Sequence, residues 1–229
     1  MGIIYATSEG MRRLNRIFIT ICGLCLMILA VAYVMGEKQP TKYAEETLWR
    51  KNLEQLKSIC NHKYRQSLHY TAYANHARRN SLLDIATLFH AIAYADAVQC
   101  DNCRKAIESL GGTFSTPIIR PTTFSNAEAH LHYALRDKQH THQNLIPHAV
   151  EQALADNNRY VARMLTWCDA SDIKQIILLQ SPHHHSRYRI CPICSDISWE
   201  EIAPRHCPHC MTDSTKFIIF TAQSDKNSE

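Results

Sequence analysis

A chain of 229 residues with a formal charge of +4 and a pI near 8.5 is too mildly basic to read as a nucleic-acid-binding protein, and no nucleic-acid partner is expected. The length suits one helical domain with a small appendage. The chain holds six glycines and a body rich in Ala, Leu, Gln, His and Arg, a composition that favours helix.

Residues 1–40 form an N-terminal tail with an apolar segment at about 17–35. That segment, "IFITICGLCLMILAVAYVM", runs nineteen positions without a charge, enough for a helix to cross about 30 Å of hydrocarbon. Arg12, Arg13 and Arg16 precede it and argue for a cytoplasmic N-terminus, against which Lys38, Lys42, Arg50 and Lys51 follow within a similar distance. The stretch also reads as a cleaved signal peptide, with translation from Met11, "MRRLNR" as basic region and "AVA" at 30–32 as cleavage motif. No lipobox precedes Cys22 or Cys25. Both readings carry the body out of the cytoplasm. The anchor reading makes the chain a single-pass membrane protein with an extracytoplasmic soluble domain and the membrane as a partner through this helix. Ten cysteines sit awkwardly with an oxidising compartment, where unmetallated thiols are at risk.

Between 41 and 180 the pattern predicts four helices in two pairs, a mainly α four-helix bundle. Residues 42–77 make the first, free of Gly and Pro, with Asn80 and Ser81 as break and cap. The second runs to the Gly111-Gly112 stop. A linker with Pro117 and Pro121 follows. Residues 125–155 make the third helix, bent or broken at Pro147, and 157–180 the fourth, ending before Pro182. Two hairpins joined by a long crossover give a ferritin-like connectivity.

A His-rich linker, 181–187, leads to "YRICPICSDISWEEIAPRHCPHCMTDSTKF" and a short tail at 222–229. Cys191 with Cys194, and Cys207 with Cys210, form two Cys-x-x-Cys pairs twelve residues apart. Four thiolates on two knuckles close a tetrahedron that suits zinc or a single iron. Segment 188–221 is therefore read as a metal-binding domain holding one Fe or one Zn.

This segment resembles rubredoxin, and in particular the rubredoxin-like tail of the rubrerythrin family: "APRHCPHC" matches the family's Ala-Pro-x-x-Cys-Pro-x-Cys, and Phe217 stands at the usual offset. Ser195 with Asp196 replaces the glycine that the family carries after the first knuckle, where positive φ is easiest for Gly. The resemblance extends over the bundle, with residues 76–112 similar to the family's second helix and 140–175 to its third and fourth, Pro147 falling at the family's proline. It implies a ferritin-like bundle, a homo-oligomer, and a tail iron that passes electrons to a peroxide-reducing diiron centre.

The diiron ligands implied by that resemblance are altered. Where the family's second and fourth helices carry Glu-x-x-His, this chain has Asp96 with Gln99 and Asp172 with Gln175. From Gln55 to Leu83 there is no Asp or Glu, so the first helix lacks its bridging carboxylate. The family's proline places Lys138 and Thr141 at the third helix's carboxylate positions. No diiron centre is expected. Three functional readings follow: electron transfer from the four-cysteine site to an unknown redox partner, a non-catalytic scaffold with structural zinc, or a rebuilt metal or thiol site in the bundle core. For the last, Cys103 and Cys168 fall on the inward stripes of the second and fourth helices, and Cys100 lies one turn from Cys103. Of fourteen histidines, His62, His69 and His76 share one face, His140 and His142 lie near the third-helix positions, and His183–His185 form a run.

Overall fold

The computed structural model describes residues 16, 18–24, 26–27, 42–183, 185–199 and 204–222. Two compact units are distinguished, Met1–Glu46 and Thr47–Glu229. In the first, the described residues from Arg16 to Met27 are helical, with large apolar side chains such as Phe18, Leu24 and Met27 exposed. Among the described residues no helix is long and apolar enough to cross a membrane; residues 17, 25 and 28–35 of the predicted span lie outside them.

Five helices build the bundle: α1 Lys42–Arg79, α2 Leu83–Ser109, α3 Ala127–His140, α4 Ile146–Ala155 and α5 Arg159–Gln180. The stops follow backbone chemistry. Gly111, at φ 75, and Gly112 return their amides to Glu108 O and Ile107 O and close α2. Gly112 also lies where an added Cβ would meet the Leu53 side chain at 2.6 Å. Asn126 and Asn158 cap α3 and α5, accepting from the amides of Ala129 and Val161. Ser81 is no cap: it turns the chain at φ 60, and α2 starts after Leu82 without a side-chain cap.

The predicted third helix is α3 and α4 joined by a π-helical turn at Thr141–Leu145. Pro147 has no N–H for the carbonyl four residues back. The preceding turn widens, and the Ile146 amide reaches Thr141 O, five residues away.

The tail is a three-stranded antiparallel sheet in the order β2-β1-β3, from β1 Arg187–Ile190, β2 Ile197–Ser198 and β3 Ile218–Thr221. Tyr188, Ile190 and Ile197 belong to the same buried apolar cluster as Tyr70, Phe89, Ile92 and Leu178. The tail is thus packed into the bundle's own core.

A second apolar cluster occupies the other end of the bundle, with Leu56, Ile59, Cys60, Cys103, Ile107, Ile146, Leu165 and Cys168. Between the two, each of the four long helical segments contributes buried polar residues: Lys63 and Gln66, Asp96 and Gln99, Lys138 and Thr141, Asp172 and Gln175. The core is apolar, then polar, then apolar along its length.

Candidate functional site

Two sites can be built from these elements. In the tail, the β1–β2 hairpin carries Cys191 and Cys194, and the loop before β3 carries Cys207 and Cys210. The four sulfurs all lie within 4.8 Å of one another, with Cys191 and Cys210 3.4 Å apart and Cys194 and Cys207 3.3 Å apart. A tetrahedral ion with bonds of about 2.3 Å needs sulfur edges of about 3.8 Å, within this spread. Among the described residues no other group of three or more Cys, His, Asp or Glu converges in this way, and the described histidines of those runs form no such set; His184 lies outside the described residues.

The knuckles aim amides at the sulfurs. Ile193 and Cys194 N–H point at Cys191 Sγ, Asp196 N–H at Cys194 Sγ, and His209 and Cys210 N–H at Cys207 Sγ. Such donors favour thiolate over thiol. Without a cation the sulfurs compete for protons. Hydrogen bonds from the Cys194 and Cys207 thiols push Cys191 far down, and the same contacts push Cys194 up and Cys207 up to about 12. A cage of four anionic sulfurs therefore needs a cation, and the donor set fits one thiophilic ion.

Both knuckles use left-handed backbone at residues other than glycine, Ser195 at φ 66 and Met211 at φ 61. Ser195 is held by the bundle: Ser171 on α5 donates to its carbonyl at 2.8 Å. Asn102 on α2 donates to Ile193 O at 2.8 Å, and Lys174 binds the buried Asp196 at 2.6 Å. Trp167 of α5 packs against the cysteines and Phe217. The first knuckle rests on α2 and α5.

The second site is the polar layer. Asp96 and Asp172 meet across two ammonium groups, which both carboxylates contact. Lys138 Nζ lies 2.5 Å from Asp96 Oδ1, 3.0 Å from Asp172 Oδ1 and 3.3 Å from Gln66 Oε1, and sits 5.6 Å from the Tyr70 ring centre. Lys63 Nζ donates to Asp172 Oδ2 and lies 3.6 Å from Asp96 Oδ1. All four side chains are fully buried. Burial alone would raise both carboxyls and lower Lys63. For Asp172 the two ammonium groups outweigh burial and its pKa falls; for Lys63 the carboxylates outweigh it and its pKa rises. Asp96 goes up, because burial prevails: Oδ1 alone faces the ammonium groups, and Oδ2 has no hydrogen-bond partner among the described residues.

Two positive and two negative charges balance within the layer. A pair of metal ions does not fit residues that already present two cations to two carboxylates. Gln99 donates to Cys168 O at 3.4 Å and Gln175 to Ser171 Oγ at 3.1 Å. Thr141 bonds His62 at 2.9 Å. His62 is held neutral by burial, its pKa lowered to about 4.

Sequence reasoning misses Lys63, because it looks for a carboxylate on α1 and not for a cation. The signal is present: Leu56, Ile59, Lys63, Gln66, Tyr70, Tyr73 and Ala77 recur at spacings of three and four, so Lys63 falls on the buried stripe. The predicted thiols also rearrange. Cys103 and Cys168 share one apolar cluster, against which Cys100 packs, and Cys100 also meets Cys60 of α1, the sulfurs 3.5 Å apart.

No protein-family model and no characterised protein matches the chain by sequence. Its fold is shared with solved structures. Nigerythrin in its fully reduced, all-ferrous state matches with a TM-score of 0.66 at 19% identity, over 74% of this chain and 86% of that one. The mixed-valence state gives 0.64 with the same identity and shares. An open-pore ferritin from the hyperthermophilic archaeon Archaeoglobus fulgidus matches with 0.51 at 13% identity, over 58% of this chain and 82% of that one. At these identities the likeness is one of fold: a ferritin-like helical bundle, in nigerythrin that of the rubrerythrin family.

Proposed function

We propose that this chain is a divergent rubrerythrin-like protein whose four-cysteine cage binds one iron and transfers single electrons, while its bundle core, charged by its own lysines, holds no metal pair. The observation that carries this reading is the pairing of an amide-lined four-sulfur cage with Lys63 and Lys138 between Asp96 and Asp172. An iron in the cage would alternate between ferric and ferrous. The residues around it do the tuning: the knuckle amides offset negative charge on Cys191, Cys194 and Cys207, and burial of these three keeps water from the sulfurs. Cys210 is the partly exposed ligand, the natural edge for electron exchange with a partner.

The test is metal analysis and a visible spectrum of protein taken from its native source rather than from overexpression. One iron per chain, red when oxidised and bleached on reduction, is expected. A colourless protein with one zinc would defeat electron transfer.

A second reading, a scaffold with structural zinc, is favoured by the packing of Tyr188, Ile190 and Ile197 into the bundle core. A metal that orders the tail would then complete a bundle surface. Under either reading, the charge-free run at 17–35 supports a single-pass membrane anchor with an extracytoplasmic body; resistance to alkaline carbonate extraction tests the anchor. Homo-oligomerisation follows from the same family resemblance, and light scattering in detergent measures it.

A further inference from the structure

We propose that Cys60 and Cys100 form a redox-active dithiol, which closes to a disulfide between α1 and α2 when a low-molecular-weight disulfide oxidises it. This pairing rests on geometry and is independent of which metal the four-cysteine cage takes.

Cys60 Sγ lies 3.5 Å from Cys100 Sγ and 3.4 Å from Cys100 O. A disulfide needs about 2.05 Å between sulfurs, so the pair is about 1.5 Å short of bonding. The two residues stand 40 apart in sequence and on different helices. The pair is therefore a tertiary contact, unlike the one-turn Cys100–Cys103 spacing. No third metal-type ligand joins it among the described residues, which leaves thiol chemistry and not metal binding as the use of the two sulfurs.

The members are unequal in a way that fits disulfide exchange. Cys60 is fully buried, while Cys100 is partly exposed. The Cys60 thiol donates to the Cys100 carbonyl and shares a hydrogen bond with the Cys100 sulfur; with Cys60 keeping the proton, the Cys100 pKa is lowered and that of Cys60 raised. Cys103 and Cys168 are buried in the neighbouring apolar cluster, away from an external disulfide, whereas Cys100 is partly exposed.

The Cys100 thiolate attacks one sulfur of the external disulfide, forming a mixed disulfide and releasing one thiolate. Cys60 then attacks the Cys100 sulfur and displaces the second thiolate, which leaves with the proton that Cys60 gives up. Two protein thiols are oxidised by two electrons, and one external disulfide is reduced to two thiols. Access to Cys100 controls the first step, and Cys60, already in contact, performs the second without diffusion.

The experiment uses the full chain in detergent with zinc in the four-cysteine cage, equilibrated in buffers of increasing oxidised-to-reduced glutathione ratio, alkylated, digested and mapped by mass spectrometry. Cleavage before Asp101 separates Cys100 from Cys103, and cleavage after Lys57 and Lys63 separates Cys60 from Cys22 and Cys25, so the linked partner is unambiguous. A peptide joining Cys60 to Cys100 is expected, rising across the glutathione series and lost on adding dithiothreitol. Cys103→Ser should leave it intact and Cys100→Ser should abolish it. The wild-type map decides even if a variant does not fold. Glutathione retained on Cys100 without closure, a Cys100–Cys103 link, or both thiols staying alkylatable across the series would each overturn the proposal.

Discussion

Replacing Lys138 by Met removes one of two positive charges from a fully buried layer and leaves Lys63 facing Asp96 and Asp172 alone. The ammonium of Lys138 lies 2.5 Å from one carboxylate and 3.0 Å from the other; at an effective dielectric near 20 each contact is worth on the order of 6 kcal/mol before desolvation. Lifting the ammonium out of water offsets most of that, and breaking a buried pair by removing one partner costs about 3–5 kcal/mol. The folded variant has an escape, since one carboxyl can take a proton. From an unfolded-state value of about 3.9, protonation at pH 7 costs about 4 kcal/mol and at pH 5.5 about 2 kcal/mol. Lys138→Met should therefore lose about 4 kcal/mol at pH 7 and about half of that at pH 5.5. Urea unfolding followed by helical circular dichroism at both pH values measures this. The double variant Lys138→Met with Asp96→Leu, which takes away a charge of each sign, should recover most of the loss. A single variant within about 1 kcal/mol of the parent at pH 7, or a loss independent of pH, would refute a charge-balanced core.

Changing Lys63 and Lys138 together to Glu would turn the layer into four carboxylates; the double variant should bind cobalt(II) beyond the one equivalent held by the four-cysteine cage, by equilibrium dialysis, while the parent binds no more than that one. His62 and His130 are each lowered to about 4 from an ordinary 6.5 by burial. Both are neutral in the fold at pH 7 and gain protons more readily when unfolded, so their stabilisation is complete above pH 6.5 and declines as pH falls toward 4, by roughly 3 kcal/mol for each. Urea midpoints across that range should drop, and His130→Gln should flatten the curve. Ser195→Gly relieves a left-handed residue at φ 66, worth about 1 kcal/mol; metal release to a chelator should slow about fivefold, and an unchanged rate would assign no cost to that φ.

Much of the bundle is legible in the sequence because helix periodicity and chain punctuation act locally. The Gly111-Gly112 stop, the proline at 147 and the inward stripe through Asp96 and Gln99 need no tertiary information. The four cysteines of the tail are equally legible, since two short knuckles confine their own ligands. What escapes depends on residues far apart in sequence. Lys63 has meaning only beside Asp172, 109 positions away. Cys60 has meaning only beside Cys100, and a one-turn neighbour on the same helix is the more visible candidate. The π turn is foreseeable as a bend, but its form depends on how the Thr141 carbonyl finds the Ile146 amide.

The polar layer also changes what this protein depends on. A bundle charged by bound ions must acquire them after synthesis and can be starved of them. Here Lys63 and Lys138 are tethered counter-ions, delivered with the polypeptide and impossible to chelate. The register of four helices is then fixed without regard to the metal content of the surroundings. Metal supply would then bear on the four-cysteine tail alone, and scarcity would loosen that module while the four helices kept their register.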